Sequence, residues 1–234
     1  MSLIIFKQQL KRAGDKKTAK TLQWYFKTGK GDYGEGDKFL GIKVPQIRQI
    51  AKANKDLTIP EIQRALDSKF HEERLCALLI LVHKYAIGND ETREYIFRFY
   101  LANTKKINNW DLVDLSAPKI TGKHLLTRNR KILLKLARSE NLWERRISIL
   151  TTFKFIREKQ FSDSLKIAKL LLNDDHDLIH KAVGWMLREI GKRSRETEEK
   201  FLKAHYKKMP RTMLRYAIEK FPEKKRLAYL NGMV

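Results

Sequence analysis

The chain has 234 residues, with 50 Lys and Arg against 27 Asp and Glu, a formal net charge of +23 and a pI near 10. Its hydrophobic share of 42%, with only 11 glycines and 5 prolines, is adequate for a core and favours long helices over a turn-rich sheet protein. No apolar run approaches the roughly 18 residues needed to span a bilayer, which excludes a membrane-spanning protein.

The charge predicts a polyanionic partner, because so many like charges repel one another in a compact chain. Nucleic acid is the first candidate and a membrane surface the second, although charge does not distinguish DNA from RNA. The first residues lack the apolar core of a signal peptide. The single cysteine, Cys76, lies in the apolar run Leu75–Val82, where we expect a buried thiol. We therefore expect a cytoplasmic, nucleoid-associated protein.

Along the chain, apolar residues recur three and four positions apart, and strand-like alternation is nearly absent. Helix-start signals appear at Asn89-Asp90, at Ser162-Asp163 and at Ser194 before an acidic run. This pattern predicts a dozen or so helices and no sheet.

The first unusual segment is "GKGDYG", Gly29–Gly34, which matches the G-x-G-x-x-G pattern of dinucleotide-binding loops. That reading needs a strand before the glycines, and a helical pattern precedes them here. We expect a flexible loop that ends at Val44-Pro45. It can lie against phosphates through its lysines, Lys30, Lys38 and Lys43.

Four later segments resemble one another: Glu72–Leu81, Glu144–Phe153, His180–Glu189 and Leu214–Phe221. Each places a basic residue just before a run of small and apolar residues. These basic residues are Arg74, Arg146, Lys181 and Arg215, at separations of 72, 35 and 34. A missing repeat between the first two would be centred on Trp110. The period near 35 predicts one HEAT-like α-helical repeat solenoid over residues 1–234.

In such a solenoid, equivalent positions form a row along the concave face. The row would read Arg74, Trp110, Arg146, Lys181 and Arg215, a basic groove that suits a duplex backbone. Asp114 lies four residues after Trp110, and Trp185 four after Lys181, so both would share this face. The alternative is that these cations sit on the solvated flanks of amphipathic helices.

Two histidines, His176 and His180, are four apart and have acidic neighbours. Two histidines on one helix face can hold zinc, but no third ligand follows and the H-E-x-x-H pattern is absent. We expect a capped helix start there, and neither a metal nor a cofactor.

The segment "NNWDLVDLSAP" places Asp111 and Asp114 beside Trp110 in a very basic chain. One interpretation is that the tryptophan fills core while the acids favour a helix N-terminus. The segment also resembles the AlkD-type DNA alkylation repair glycosylases, through Trp110-Asp111-x-x-Asp114, "LWERRISI" with Arg146, and "AVGWMLRE" with Trp185. "FLGIKVPQIR" resembles the N-terminal block of that family, and the blocks occur in family order.

The resemblance implies an all-α HEAT-like solenoid that wraps duplex DNA and hydrolyses the N-glycosidic bond of cationic N3- and N7-alkylpurines. It implies that Asp114 is the catalytic carboxylate, that Trp110 and Trp185 are the aromatic pair at the lesion, and that Arg146 contacts the backbone. Tyr25 and Lys43 fall near the lesion, and Lys43 stands where some members carry a neutral polar residue. The resemblance also implies that the base need not be flipped into a pocket. A wrapped duplex suggests a monomer.

The implied chemistry is consistent with the residue types. An alkylpurine cation is already a good leaving group, so the enzyme has to support positive charge on the deoxyribose, which a fixed carboxylate does. Two other functions remain open from the sequence. One is a non-catalytic nucleic-acid-binding protein of the same fold, and the other is a HEAT-type scaffold for an acidic protein.

Overall fold

The computed structural model describes residues 2–234, and the helices are joined by turns and loops. Fifteen α-helices and two short 3-10 helices occur in these residues, and no strand, only an isolated bridge between Lys38 and Phe70. The sequence prediction of an all-α, helical-repeat fold without a sheet is therefore confirmed.

The chain divides into two compact units, the first ending at Ser116 and the second beginning at Ala117. The single domain predicted over residues 1–234 stays a prediction. The first unit contains α1 (Leu3–Ala13), α2 (Lys16–Tyr25), α3 (Val44–Ala53), α4 (Ile59–Leu66), α5 (His71–Ile87), α6 (Asp90–Ala102) and α7 (Trp110–Ser116), with a 3-10 turn at Thr104–Lys106. The second contains α8 (Thr121–His124), α9 (Lys131–Leu136), α10 (Leu142–Arg157), α11 (Ser162–Leu170), α12 (Asp177–Gly191), α13 (Arg195–His205), α14 (Arg211–Ala217) and α15 (Glu223–Leu230), with a 3-10 turn at Ile218–Lys220.

Local sequence signals account for several helix starts. The Asn89 side chain accepts a hydrogen bond from the Thr92 N–H, and Ser194 accepts one from Thr197, so two predicted caps are confirmed. Ser162 is the first residue of α11, and its side chain makes no cap there. These caps satisfy backbone donors that a helix start otherwise leaves open.

In the first unit, α5 is the central helix and packs against α3, α4 and α7. Residues His71 to Leu81 of α5 are all buried, and Cys76 is completely buried, as predicted. A helix that is apolar on every side is one that other elements surround. α5 is therefore the buried helix that holds α3, α4 and α7 in their places.

In the second unit, the helices α10, α12 and α14 pack side by side, and α11 and α13 lie in the connections between them. A Cβ at Gly184 would lie 2.4 Å from the Met213 carbonyl oxygen, so only glycine fits where α12 meets α14. The predicted period near 35 matches this succession, since Arg146, Lys181 and Arg215 are each the fifth residue of their helix. None of the helices in residues 2–234 combines the length and hydropathy that crossing a bilayer requires.

Candidate functional site

The helix α7 carries the tryptophan and both aspartates singled out in the sequence. Asn109 is completely buried, and its side-chain oxygen accepts a hydrogen bond of 2.8 Å from the Trp110 N–H, which fixes the helix start. Trp110 and Asp114, one turn apart, are both half-exposed, whereas Asp111 is only 5% exposed. The two acids therefore occupy different environments.

Trp110 lies at the edge of a cluster of aromatic rings in the first unit. It stacks on Phe26 with ring centroids 5.0 Å apart, and Tyr25 meets it edge-on at 5.9 Å. Phe26 stacks in turn on Phe39, and Phe39 stacks on the His71 imidazole at 4.6 Å. The indole is thus held by other rings and presents a defined face.

A cavity of about 410 Å³ opens beside this cluster. Its walls come from α2, α3, α5, α7 and the segment between α2 and α3. Apolar side chains predominate, among them Leu22, Ile42, Val44, Ile47 and Leu75. The same cavity is lined by Tyr25, Lys43, His71, Trp110, Asp111 and Asp114.

A chain of buried charges lies behind the cavity. The Arg74 guanidinium donates to Asp37 at 2.6 Å, and Asp37 is 3.2 Å from Nδ1 of His71. The other ring nitrogen of His71, Nε2, is 2.9 Å from Asp111. All four side chains are buried, so each charge depends on its neighbour in place of water.

His71 is positively charged in this arrangement. Burial by itself would lower its pKa, but Asp111 and Asp37 together raise the pKa to about 9. Burial by itself would raise the pKa of Asp37. The hydrogen bond from His71 and the charge of Arg74 outweigh this effect and lower the pKa of Asp37. The imidazolium therefore donates one hydrogen bond to each carboxylate.

Only one of the two Asp111 carboxylate oxygens is used in this network. Oδ2 accepts from His71, while Oδ1 is buried and has no hydrogen-bond partner within residues 2–234. A buried carboxylate oxygen without a donor is costly unless a ligand or water supplies one. Asp111 is among the residues beside the cavity, but this oxygen itself is buried within the fold.

Glu72 fixes the backbone on the opposite wall. Its carboxylate accepts hydrogen bonds from the N–H groups of Leu40, Gly41 and Ile42, at 2.9, 2.8 and 3.2 Å. Gly41 has a φ of +88°, and a Cβ there would lie 2.0 Å from the Asp15 carbonyl oxygen. These contacts place Lys43, the next residue after Ile42, at the cavity.

The first unit brings together four of the residues predicted from the sequence, since Tyr25, Lys43, Trp110 and Asp114 all line the cavity. Arg74 is placed differently from the expectation. It is 4% exposed and is engaged with Asp37 and the Ser68 carbonyl oxygen. A direct contact with DNA does not fit this placement, because burying the guanidinium against a carboxylate makes it part of the core.

The second unit holds the remaining predicted residues. Arg146 is 5% exposed and donates to the Leu178 carbonyl oxygen at 2.5 Å, so a solvent-facing contact with the DNA backbone does not fit its placement either. Lys181 is half-exposed and pairs with Asp177, and Arg215 is exposed. Trp185 is half-exposed and packs against Phe153, with the ring centroids 5.5 Å apart. The convergence of both tryptophans on one groove stays a prediction.

Sequence reasoning missed Asp37, His71 and Phe26. The only signal for them was indirect, since Asp37 lies in the glycine-rich segment and His71 at the start of the apolar helix α5. The partners of Asp37 and His71 in the network are 34 to 40 residues away, and Phe26 stacks on Trp110, which is farther still in the chain, so no local pattern reveals these contacts.

The histidines considered as zinc ligands have other roles. The His176 ring accepts a hydrogen bond from the Leu178 N–H and caps α12, and His180 contacts the Asp174 carbonyl oxygen. In residues 2–234, no group of three or more His, Cys, Asp or Glu side chains is arranged to hold a metal.

Comparison with known proteins adds an independent observation. A family described as DNA alkylation repair enzyme matches residues 6–221 of the chain. A solved structure described as a predicted DNA alkylation repair enzyme from Enterococcus faecalis has a TM-score of 0.68 and 16% sequence identity, covering 90% of this chain and 97% of that one. At this identity the structural likeness shows the fold alone. No curated protein matches the chain.

Proposed function

This chain belongs to the DNA alkylation repair enzyme family, and we propose that it is a DNA glycosylase acting on cationic N3- and N7-alkylated purines in duplex DNA. The observation that carries the proposal is the pairing of Trp110 and Asp114 on one face of α7, both half-exposed and both lining one cavity. A net charge of +23 supports DNA as the partner.

The proposed reaction is hydrolysis of the bond between C1′ of the deoxyribose and N9 of the purine. The electron pair of that bond stays with the purine and neutralises its cation, so no proton has to be donated to the leaving group. Asp114 stabilises the positive charge that develops on the sugar. Water then attacks C1′ and loses its proton to Asp114 or to solvent, leaving free alkylpurine and an abasic site.

The aromatic and basic residues hold the substrate in this proposal. The face of Trp110 attracts the cationic base, and Trp185 is proposed as its aromatic partner at the lesion. Tyr25, Lys43, Lys181 and Arg215 are exposed or half-exposed, and we assign them to the DNA backbone and sugar. Arg74 and Arg146 are buried, so we assign both a positioning role in place of direct contact.

The buried network explains how Asp114 is kept in position. Asp111, three residues earlier on α7, is held by His71, and His71 is held by Asp37. This chain of contacts fixes the rotation of α7 about its own axis and therefore the direction of the next exposed carboxylate. We further propose a monomeric, cytoplasmic enzyme that works on the nucleoid without a cofactor.

Release of 7-methylguanine and 3-methyladenine from methylated duplex DNA tests the proposal, with wild type and Asp114→Asn side by side. We expect release by wild type and a loss of about 100-fold or more in Asp114→Asn, because a fixed charge facing the transition state is removed. DNA affinity should stay the same or rise slightly, because a negative charge leaves the DNA-binding surface.

Undiminished release by Asp114→Asn would show that the carboxylate assignment is wrong. If neither protein released a base while salt-sensitive DNA binding remained, the chain would be a nucleic-acid-binding protein of this fold without the reaction.

A further inference from the structure

The helix α2 has two sides with different surroundings. Leu22 and Tyr25 line the cavity beside Trp110, and none of the residues of α2 is fully buried. Residues three, four and seven positions apart share one face of a helix. Four exposed residues with this spacing lie on the side opposite Leu22, and we call them the outer face of α2: Lys17, Lys20, Thr21 and Trp24.

Trp24 is available as a binding surface. It is 80% exposed, the highest value among the large hydrophobic residues of the described chain, residues 2–234. Trp110 stacks on Phe26, whereas no ring within those residues contacts Trp24. An indole left in water gives up the stabilisation that its large apolar surface would gain on burial. A partner that stacks on this ring recovers that stabilisation.

The lysines of the outer face have no counter-charge in the fold. Lys17 and Lys20 form no salt bridge within the part of the chain that the structure describes, residues 2–234. The nearest acid in sequence, Asp15, caps α2, and its carboxylate accepts a hydrogen bond of 2.6 Å from the Thr18 N–H. The outer face therefore combines an exposed ring with cations that are not neutralised, in a chain whose net charge is +23.

The composition of the outer face favours one class of partner. An interfacial membrane helix buries a broad apolar face in lipid, but Trp24 is the only apolar side chain among these four residues. Protein interfaces are depleted of lysine around their aromatic anchors. In a duplex, the faces of the bases are covered by their neighbours. A single strand exposes base faces for stacking and phosphates for cations, and proteins hold it with aromatic rings beside basic side chains.

We propose that the outer face of α2 binds single-stranded DNA, with an unpaired base stacked on Trp24 and neighbouring phosphates on Lys17 and Lys20. Four residues of a helix correspond to a rise of about 6 Å, so one nucleotide can contact both Lys20 and the ring. DNA is favoured over RNA because the chain belongs to the DNA alkylation repair enzyme family. The strand lies on the side of α2 that faces away from the cavity. This inference goes beyond the proposed function and does not require base release.

The first test removes the stacking ring. The probe is a fluorescein-labelled oligothymidylate of about 12 nucleotides, which is within the usual length of single-strand sites and contains no purine that could act as a lesion. We expect wild type to bind it, and Trp24→Ala to lose about fivefold or more in affinity by fluorescence anisotropy. Trp24→Phe keeps a ring and should recover most of this loss. Failure of wild type to bind the probe would overturn the proposal.

The matched control for the ring is Tyr95→Ala. Tyr95 is 54% exposed on α6 in the same unit, and its helix neighbours include the ion pair of Arg98 with Glu94 in place of unpaired lysines. This variant should bind the probe as wild type does. Unchanged affinity in Trp24→Ala, or an equal loss in Tyr95→Ala, would overturn the role of Trp24.

The second test removes charge. The double variant Lys17→Ala/Lys20→Ala should reduce the slope of log affinity against log salt concentration by about 1.4, because each phosphate contact on a single strand contributes about 0.7. Lys52→Ala/Lys55→Ala removes the same charge from exposed positions at and just after the end of α3, and should leave the slope unchanged. Equal reductions would mean that the probe responds to net charge alone, which would overturn the site.

The third test separates this site from the lesion site. Trp24→Ala should keep the wild-type affinity for a methylated duplex and the wild-type release of 7-methylguanine, since Trp24 does not line the cavity. A parallel loss of duplex affinity would make α2 part of the duplex-binding surface and overturn the separate site. Tighter binding of an oligouridylate than of an oligothymidylate of equal length would overturn the choice of DNA. If wild type releases no base, the proposed function fails, while the anisotropy measurements still decide this proposal.

Discussion

The two units use buried charge differently. In the first unit, Asp37, His71, Arg74 and Asp111 form one continuous network in which every charge is buried. In the second, the ion pairs Arg145–Asp174 and Arg130–Asp163 each join segments about 30 residues apart, and both arginines remain partly exposed. The ion pairs of the second unit therefore connect successive helical segments of the repeat. The network of the first unit instead fixes residues at and beside the candidate site.

The largest expected effect is on the stability of the first unit. Asp37→Ala leaves the Arg74 guanidinium and one nitrogen of His71 buried without their carboxylate, which should lower the free energy of unfolding by about 3–5 kcal/mol. Asp174→Ala is the matched change in the second unit, where Arg145 keeps the carbonyl oxygens of Ser139 and Glu140. We expect a loss of about 1–2 kcal/mol there. Denaturant unfolding of both variants measures the difference, and equal losses would remove the distinction between the units.

A second prediction concerns pH. The pKa of His71 is raised from 6.5 to about 9 in the folded protein, so folding is favoured by proton binding between these values. The contribution is complete below pH 6.5 and disappears as the pH rises through 9, with a total on the order of 3 kcal/mol. The unfolding free energy of wild type minus that of His71→Gln, measured from pH 6 to 9.5, should therefore decrease. A constant difference would show that the imidazole is not charged in the fold.

The second unit contains its own buried titrating group, Glu198 on α13. Burial raises the pKa of this carboxyl to about 8, and one of its oxygens has no hydrogen-bond partner within residues 2–234. Stability from this group is present below pH 4.5 and is lost as the pH rises through 8. Glu198→Gln, which stays neutral, should thus become more stable relative to wild type between pH 4.5 and 8. Its DNA affinity should be unchanged, in contrast to variants at the cavity.

The smallest effect is expected for a single backbone contact. Lys181→Ala on α12 should reduce the slope of log affinity against log salt concentration by about 1, because one phosphate contact is lost. Lys166→Ala is the control, since Lys166 is exposed on α11, which lies between the long helices in sequence. DNA titrations at several salt concentrations distinguish the two. If the slope changed in Lys166→Ala and not in Lys181→Ala, the DNA would contact α11 in place of α12.

Much of the fold was predictable because it repeats. Apolar spacing predicted helices throughout, and the spacing of Arg146, Lys181 and Arg215 corresponds to the fifth residues of α10, α12 and α14. The same recurrence was misleading about exposure. Arg74 and Arg146 share a sequence context with Arg215, yet the first two are buried and the third is exposed, because burial depends on which neighbouring elements cover each position.

The candidate site was predictable only in part. Trp110 and Asp114 stood out because an acidic and aromatic segment is unusual in so basic a chain. The spacing from Trp110 and the family resemblance singled out Asp114, but neither predicted that the neighbouring Asp111 would be buried against His71, 40 residues away in the chain.

By itself, the sequence determined the class of fold, the strongly basic surface and the helix that carries Trp110 and Asp114, since these depend on composition and on spacings within a few turns. Tertiary structure decided the cavity, the charged state of His71 and the burial of Arg74. Each of these is set by side chains about 30 residues or more apart in the chain, and the energy of a charge depends on what replaces water around it.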